Sequence, residues 1–240
     1  MPDQIFYSHF AEKKLHPWGE WIKRRLYRNQ FRILSRHIDW NEVHTCLEIG
    51  LGRCDFFLNL PDSIRTSLRY IGIEPSPIMA SRGKQLGIGV LRSFIPPFPI
   101  RSHSVDLIYM SHVIEHLSDY QVLLNTMSEI RRVLKPGGFC IMAFPDYLHY
   151  REDFYEMDYS HQYPITRYRC QTLLSDSGFK ILAALYSNGC FHGLFRYLLQ
   201  PFFRLQQMIC QMMYHLTGRR IFFKAKILFG RNVLIITRPD

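Results

Sequence analysis

Apolar residues fall into short runs separated by amphipathic stretches, and this alternation predicts most of the secondary structure. The runs predict strands at 45–49, 70–73, 105–110, 139–144 and about 180–186, and a weaker one at 88–93. Helical spacing of apolar residues predicts helices at 17–37, from near 53 to just before 61, at 79–86 and around 123–134. Strands and helices that alternate in this way predict an α/β doubly wound sheet.

Proline and glycine mark the boundaries of these elements. The run Lys135-Pro-Gly-Gly138 predicts the end of the helix that precedes the strand at 139–144. The proline-rich stretch from Phe94 to Pro99 excludes a helix or a central strand, so we expect a loop there.

The stretch at 190–216 mixes large apolar residues with Arg196 and Arg204 and is interrupted by Pro201. Polar residues break every window of about 18 apolar residues, which excludes a membrane-spanning helix. Two interpretations stay open, namely a helix lying flat on a membrane and a lid or dimer helix packed on the sheet.

Candidate chemistry begins where the first predicted strand ends. Glu48 lies in that strand, and Gly50 and Gly52 follow it in a turn where the backbone can pass close to a ligand. Glu74 ends the second strand, where a carboxylate is placed to accept hydrogen bonds from both hydroxyls of a ribose. A dinucleotide fingerprint would need glycine at Asp55, so an adenosine-bearing cofactor without a pyrophosphate is favoured.

The pattern Glu48-Ile-Gly50-Leu-Gly52 resembles motif I of the class I S-adenosylmethionine-dependent methyltransferases. The runs VDLIYMSHVIEHLSD and IRRVLKPGGFCIMAFPD resemble the motifs of the family's fourth and fifth strands, and the segment from Asp158 to Thr166 resembles one found in its small-molecule branch. The resemblance implies a Rossmann-like doubly wound sheet of seven strands whose last strand, near 232–237, is antiparallel. We expect a leading basic helical segment at 1–44, a cofactor-binding core at 45–186, a helical basic-apolar insertion at 187–231 and a closing strand of the core at 232–240.

S-adenosylmethionine is therefore the expected cofactor. The expected cofactor-binding residues are Glu48, Gly50, Gly52, Glu74, Pro75, Ser93, Ser111 and His112. The chain departs from the family at two positions. Cys54 stands where a third glycine is usual, and no acid lies near Ser93 to contact the adenine amino group, so Ser93 or a backbone carbonyl is expected to replace it.

Methyl transfer to a hydroxyl needs alignment and a base, and histidine titrates in the right range. The candidates are His161, in the segment that covers the acceptor in this family, and His112, at the mouth of the fourth strand. A local structural contact is the alternative for each. His112-Val-Ile-Glu115-His116 also matches the inverted zinc-protease motif, but it lies at a strand end and not within a helix, so no metal is expected.

Charge and cysteines limit the partners and the compartment. The net charge is +10, and basic residues cluster at 13–36 and after residue 191, which favours an anionic partner. Because aliphatic residues are interleaved with the cations, a lipid partner is favoured over nucleic acid. Six scattered cysteines and no secretory signal favour a cytoplasmic chain, with peripheral contact to the inner membrane face left open.

We therefore expect a methyltransferase that acts on oxygen of a small-molecule or lipid-linked acceptor. An RNA methyltransferase and a non-catalytic cofactor-binding or scaffold protein are the alternatives, and the oligomeric state stays open.

Overall fold

The centre of the molecule is a seven-stranded sheet with the strand order β3-β2-β1-β4-β5-β7-β6. The computed structural model describes residues 17–188, 197–227 and 230–240. The strands are β1 (Thr45–Ile49), β2 (Arg69–Ile73), β3 (Gly89–Leu91), β4 (Val105–Ser111), β5 (Leu134–Pro145), β6 (Phe179–Asn188) and β7 (Arg231–Pro239). Strands β1 to β5 pair in parallel, and β7 runs antiparallel to both β5 and β6. The predicted doubly wound sheet with an antiparallel last strand is confirmed.

Helices cover both faces of the sheet. They are α1 (Pro17–Leu34), α2 (Asp55–Asn59), α3 (Asp62–Ser67), α4 (Pro77–Gln85), α5 (Tyr120–Val133), α6 (Tyr147–Tyr150), α7 (Asp153–Met157), α8 (Arg167–Asp176), α9 (Gln200–Thr217) and α10 (Arg220–Ile227). A 3₁₀ turn, Ile114–His116, follows β4. Two helix starts are capped by side chains: Asp119 accepts the N–H of Val122 before α5, and Thr166 accepts the N–H of Arg169 before α8.

One apolar cluster packs against each face of the sheet. The strands are therefore buried on both sides, and their sequences are continuous apolar runs. Leu47 and Ile49 of β1 pack in the cluster that includes the inner face of α5, whereas Cys46 packs on the opposite face with Leu34 of α1. A strand buried on both faces has no solvent side and needs no polar alternation.

Several element boundaries differ from the predicted ones. Pro61 divides the helix region after β1, so a second short helix, α3, follows it. The run Lys135 to Gly138 follows the end of α5 but lies within β5, where the ladder to β4 is irregular and Gly137 has a φ of +80°. Pro201 was expected to interrupt a helix, but it lies in the first turn of α9. Proline is tolerated there because the N–H group that it lacks would have no hydrogen-bond partner within the helix.

Residues 1–16 and 189–196 lie outside the described residues, and with them fall parts of the predicted leading segment and of the stretch at 190–216. The predicted division of the chain at residues 44, 186 and 231 stays a prediction. Among the described residues, no helix is long and apolar enough to cross a membrane.

One carboxylate fixes the amino-terminal edge of the central strands. Asp106 Oδ2 accepts the backbone N–H groups of His44, at 3.2 Å, and Thr45, at 2.8 Å, while Oδ1 lies 2.7 Å from the ammonium of Lys135. Desolvation alone would raise the pKa of Asp106, but these three bonds outweigh it and hold the pKa below its ordinary value. Asp106 therefore joins the start of β1 to β4 and β5.

We expect Asp106→Asn to lower the free energy of unfolding by about 1–3 kcal/mol at pH 7, because it removes hydrogen bonds to a charged group. Asp62→Asn, which breaks an exposed pair with Arg65, is the control and should cost less than about 1 kcal/mol. The stabilisation from Asp106 is present above the ordinary carboxyl pKa and is lost as the pH falls through its lower folded value. Urea unfolding at pH 7 and in acid measures both effects. Equal losses in the two variants would contradict this role.

Candidate active site

A cavity of about 650 Å³ opens at the carboxyl ends of β1, β2 and β4. This is the point where the strand order reverses, since β2 and β4 lie on opposite sides of β1. Ligands of open α/β sheets bind at such a point. Another depression of about 660 Å³ lies between α1 and the Pro61 turn, away from the strand ends and more open to solvent. The strand-end cavity is therefore the candidate site.

The glycine turn forms one wall of this cavity. Gly50 has a φ of +74°, and a Cβ there would lie 2.7 Å from Cγ2 of Val113. Gly52 has a φ of +49°, and a Cβ there would meet no atom within 4 Å, because the Cα faces open space. Cys54, in place of the family's third glycine, also adopts a positive φ of 59°, and its thiol is fully buried. The cysteine thus keeps the backbone conformation that a glycine would supply.

Glu74 ties the end of β2 to the glycine turn. Its Oε2 accepts the N–H of Gly52 at 3.0 Å, and its Oε1 accepts the N–H of Ser76 at 2.9 Å. The side chain is only 3% exposed, and burial raises the pKa of the carboxyl against these backbone bonds. Pro75 lies beside it in the wall of the cavity. The carboxylate keeps further lone pairs that can accept from a ligand.

Glu48 lies deeper in the same wall. It accepts the phenol O–H of Tyr70 at 2.8 Å. Burial raises the pKa of Glu48 to about 8, with smaller contributions from Asp55 and Glu74 against the bond from Tyr70. Glu48 is therefore mainly protonated at pH 7 in the absence of a cation.

The loop after β3 lines the cavity, but not through the expected residue, Ser93. Arg92, Phe94 and Ile95 line the cavity, whereas Ser93 does not, and its hydroxyl donates to the carbonyl of Phe94 at 2.8 Å. A serine hydroxyl can bond to a neighbouring backbone carbonyl in this way. Contact between Ser93 and an adenine stays a prediction, and the geometry favours its neighbours.

Strand β4 delivers two of the expected residues. Ser111 ends the strand, and His112 follows with a φ of +56°. Both line the cavity, and Nδ1 of His112 lies 3.0 Å from Oε1 of Glu115. Desolvation alone would lower the pKa of His112, but the bond and charge of Glu115 outweigh it and place the pKa above its ordinary value.

The segment with His161 is docked against the turn after β4. The backbone carbonyl of Glu115 accepts the N–H groups of Gln162, at 2.8 Å, and Tyr163, at 3.0 Å. An Asx turn precedes this contact, since Asp158 Oδ1 accepts the N–H and the hydroxyl of Ser160. These bonds bring two segments that are distant in sequence to one wall of the cavity.

His161 lies in that wall with 9% of its surface exposed. Its Nδ1 lies 2.5 Å from the carbonyl oxygen of Phe154, and its ring centroid lies 4.9 Å from that of His116. Burial lowers the pKa of His161, and the charge of Glu115 offsets this only in part. The imidazole is therefore neutral at pH 7.

Helix α1 contributes to the cavity wall a residue that was not predicted from the sequence. Tyr27 lines the cavity, and Tyr109 of β4 donates to Gln30 of α1 at 3.1 Å. Lys23 of α1 forms an ion pair with Asp55 at 2.9 Å, which holds the helix over the start of α2. No local motif marks Tyr27, because its place depends on the packing of distant segments.

The cavity suits an adenosine-bearing ligand with a cationic amino acid end. The open space over Gly52 admits the ligand, Glu74 supplies hydrogen-bond acceptors for a ribose, and a cationic group bound beside Glu48 would favour the ionised form of this carboxyl. The volume lies within the roughly 300–1,000 Å³ of small-molecule sites. S-adenosylmethionine has these chemical features, so the residues present fit it.

We expect Glu74→Gln to weaken binding of S-adenosylhomocysteine at least tenfold, because hydrogen bonds to a charged acceptor contribute about 1.5–3 kcal/mol. The amide conserves the shape of the side chain and can still accept one of the two backbone bonds. Isothermal calorimetry measures the affinity, and Glu152→Gln on the surface near α7 is the control. A folded Glu74→Gln protein with unchanged affinity would remove the ribose assignment.

The raised pKa of Glu48 predicts a dependence of stability on pH. The folded protein favours the protonated carboxyl, so this contribution is present below the ordinary pKa of about 4.3 and is lost as the pH rises through about 8. We expect the stability of the wild type to fall relative to Glu48→Gln by up to about 1.4 kcal/mol per pH unit in this window. Urea unfolding from pH 5 to 9 gives the difference. Parallel curves for the two proteins would show that Glu48 is ionised throughout.

Comparison with known proteins identifies the fold and a match to a methyltransferase domain. Residues 47–142 match a family model described as a methyltransferase domain. A 37.1 kDa protein of a Streptomyces fradiae transposon is 26% identical over 141 residues, which cover 57% of this chain and 40% of that protein. The chain spans less than half the length of the curated relatives it matches.

Solved structures share the fold over nearly the whole chain. A methyltransferase from Thermotoga maritima, described as a possible histamine N-methyltransferase, is 18% identical, with 93% of this chain and 95% of that chain covered and a TM-score of 0.61. The N-methyltransferase NodS of Bradyrhizobium japonicum, in complex with S-adenosylhomocysteine, is 14% identical, with 98% and 97% covered and a TM-score of 0.60. At these identities the likeness shows the fold alone.

The matched region contains the glycine turn, Glu74 and the end of β4, which form the cofactor side of the cavity. Residues 47–142 therefore match a methyltransferase domain, and the fold of the chain is the one found in S-adenosylmethionine-dependent methyltransferases.

Proposed function

We propose that this chain transfers the methyl group of S-adenosylmethionine to an oxygen of a small or lipid-linked acceptor. The observation that carries the proposal is that His112, His116 and His161 line the same cavity as the glycine turn and Glu74. Cofactor-binding groups and groups able to handle the proton of a hydroxyl therefore share one enclosed space.

The residues that line the cavity form two groups, one at each end of it. Glu74 and Gly52 would hold the ribose side, and Glu48 would face the cationic end of the cofactor. The cofactor supplies a methyl group on a positively charged sulfur. The charge is lost in the transfer, so alignment of the acceptor is the main requirement. The imidazoles are left to orient a hydroxyl and to accept its proton.

His161 is the residue best suited to the acceptor. It is neutral at pH 7 because burial lowers the pKa of its imidazole, and its Nδ1 is engaged by the carbonyl of Phe154. The other ring nitrogen, Nε2, is then unprotonated. His112 differs, because its pKa is raised by Glu115 and it lies at a more exposed position. We therefore assign His161 to the acceptor and His112 to the orientation of Glu115 and to the cofactor side.

We expect His161→Ala to lower turnover by roughly 100-fold or more while the affinity for S-adenosylhomocysteine stays the same. Turnover is followed by transfer of the labelled methyl group from S-adenosylmethionine to a lipid extract and to a set of small hydroxyl compounds. His44→Ala, an exposed histidine at the opposite edge of the sheet, is the control. If binding falls in parallel with turnover, His161 belongs to the cofactor side instead. Label found on nitrogen would contradict the oxygen acceptor.

The outer face of α9 and its approach support a lipid-linked acceptor. Large apolar side chains at helical spacing are about half or more exposed there: Leu198, Phe202, Leu205, Met208, Ile209, Met212 and Leu216. The opposite face packs on the protein through Phe203, which is 2% exposed, and Gln206, which donates to the carbonyl of Ala225 at 2.7 Å. Residues 197–227 contain five basic residues and no acid. Apolar groups and cations together favour an anionic membrane surface.

We expect the chain to sediment with vesicles that contain anionic lipid, and to do so less at higher salt, because each basic residue contributes at most about 1 kcal/mol. The double substitution Leu205→Ser and Met212→Ser should reduce the bound fraction severalfold. Tyr120→Ser removes an apolar side chain of similar exposure from α5 and is the control. Filter binding on total RNA at the same ionic strength runs beside it. Retention of RNA without vesicle binding would favour an RNA methyltransferase, and binding to neither would favour a lid or dimer helix.

A further inference from the structure

Three side chains converge at the acceptor end of the cavity in a way that methyl transfer by a histidine base does not require. Glu115, His116 and His161 each present one potential ligand atom, and these atoms lie within 4.8 Å of one another. Glu115 is fully buried and His161 nearly so. His116 and His161 both line the cavity.

This set differs from the inverted zinc-protease motif in the sequence. That motif would pair His112 with His116 on one helical face, but Nδ1 of His112 is directed to Glu115 Oε1 at 3.0 Å. His161 replaces His112 in the cluster and comes from a segment far along the chain. The sequence motif therefore includes two of the three clustered residues, Glu115 and His116, but not His161.

Hydrogen bonds fix which nitrogen of each imidazole faces the cluster. Nδ1 of His161 contacts the carbonyl oxygen of Phe154, which only accepts, so this nitrogen carries the proton. Nδ1 of His116 lies 3.2 Å from the carbonyl oxygen of Ser160 and 3.0 Å from its Oγ. The Ser160 hydroxyl already donates to Asp158 at 2.6 Å, so it too accepts from His116. With the proton of each ring on Nδ1, the neutral form of either imidazole has its lone pair on Nε2.

Among the described residues, one carboxylate oxygen of Glu115 also has no hydrogen-bond donor. Glu115 Oε1 is paired with His112, whereas Oε2 is buried and has no hydrogen-bond partner among the described residues. A buried acceptor without a donor costs free energy. Two imidazole lone pairs and a carboxylate oxygen within 4.8 Å of one another repel unless a cation lies between them. Histidine that donates its other N–H to a carbonyl is the usual arrangement around a bound metal.

We propose that Glu115, His116 and His161 bind one divalent transition-metal ion of the zinc class. Two imidazole nitrogens and one carboxylate oxygen suit Zn²⁺, Fe²⁺, Co²⁺ or Mn²⁺, and suit Mg²⁺ or Ca²⁺ less because these ions prefer oxygen. Three protein ligands leave at least one position free, as in catalytic sites and unlike closed structural ones. The free position faces the cavity, since His116 and His161 are in its wall.

The role of the ion, unlike its binding, rests on the proposed function. An acceptor hydroxyl that coordinates the ion has a lower pKa and gives its proton to water. The oxygen then forms a bond to the methyl carbon as the bond between that carbon and sulfur breaks. The electron pair of the broken bond stays on sulfur, which leaves neutral S-adenosylhomocysteine. With the ion bound, His161 would position the acceptor as a metal ligand, and water would replace it as the proton acceptor assigned under the proposed function.

The test uses the untagged full chain, stripped with a chelator and titrated with Co²⁺, whose visible absorption reports the ligands and their number. We expect one ion per chain, an absorption band typical of four or five ligands, and displacement by Zn²⁺. Glu115→Gln, His116→Ala and His161→Ala should each weaken Co²⁺ binding at least 100-fold. His44→Ala is the control and should bind as the wild type does. Thermal unfolding and calorimetry with S-adenosylhomocysteine show which variants remain folded.

The outcomes separate the metal site from the proposed function. No band in the wild type, or equal binding in Glu115→Gln and the wild type, would overturn the site and leave His161 as a free base. Loss of binding in His112→Ala but not in His161→Ala would also overturn it, in favour of the motif within the turn. One ion bound without methyl transfer to any hydroxyl compound would support the site and contradict the proposed function.

Discussion

The carboxylate of Glu74 joins the ends of two neighbouring strands, and the cofactor side of the site depends on this junction. By accepting the N–H groups of Gly52 and Ser76, it fixes the glycine turn after β1 relative to the turn after β2. A buried carboxylate without such donors would be unfavourable, so the turn must adopt the conformation that supplies them. The positive φ values at Gly50, Gly52 and Cys54 are the local consequence. The cavity stays open over Gly52 because no side chain can enter there.

The acceptor side depends on a second junction, between the turn after β4 and the segment at 158–163. The backbone carbonyl of Glu115 holds this segment in place, and the side chain of the same residue lies between His112 and the pair of His116 and His161. One residue thus sets both the position of the covering segment and the charge beside the imidazoles. Buried polar groups of this kind make the arrangement specific when every partner is present. The ion that we propose would supply the partner that Glu115 Oε2 lacks.

The sequence predicted the sheet, and it marked the glycine turn and Glu74, which line one cavity, because these features depend on local patterns. Strands buried on both faces are continuous apolar runs, and the turn after β1 has its glycines in a fixed order. Predictions failed where local features have more than one solution. Pro201 was compatible with a break or with a helix start, and the run Lys135 to Gly138 was compatible with a helix end or with an irregular strand. Ser93 was chosen by its position in a motif, and its hydroxyl donates to the carbonyl of Phe94, so its contact with an adenine stays a prediction.

Long-range contacts account for what the sequence did not predict. Tyr27 reaches the cavity because Lys23 pairs with Asp55 across the fold. The cluster of Glu115, His116 and His161 forms because the segment at 158–163 packs against the turn after β4 through the carbonyl of Glu115. A contact between segments so far apart in sequence has no local sequence pattern. The sequence alone shows only the spacing of His112, Glu115 and His116, which matches the inverted zinc-protease motif.

The central claim is that the strand-end cavity holds S-adenosylmethionine with its ribose on Glu74. A crystal structure of the full chain grown with S-adenosylhomocysteine tests this most directly. The account predicts the ribose hydroxyls within hydrogen-bond distance of Glu74, the backbone of Gly52 against the ligand, and the sulfur directed toward His161. A ligand bound outside this cavity, or with its ribose away from Glu74, would contradict the account.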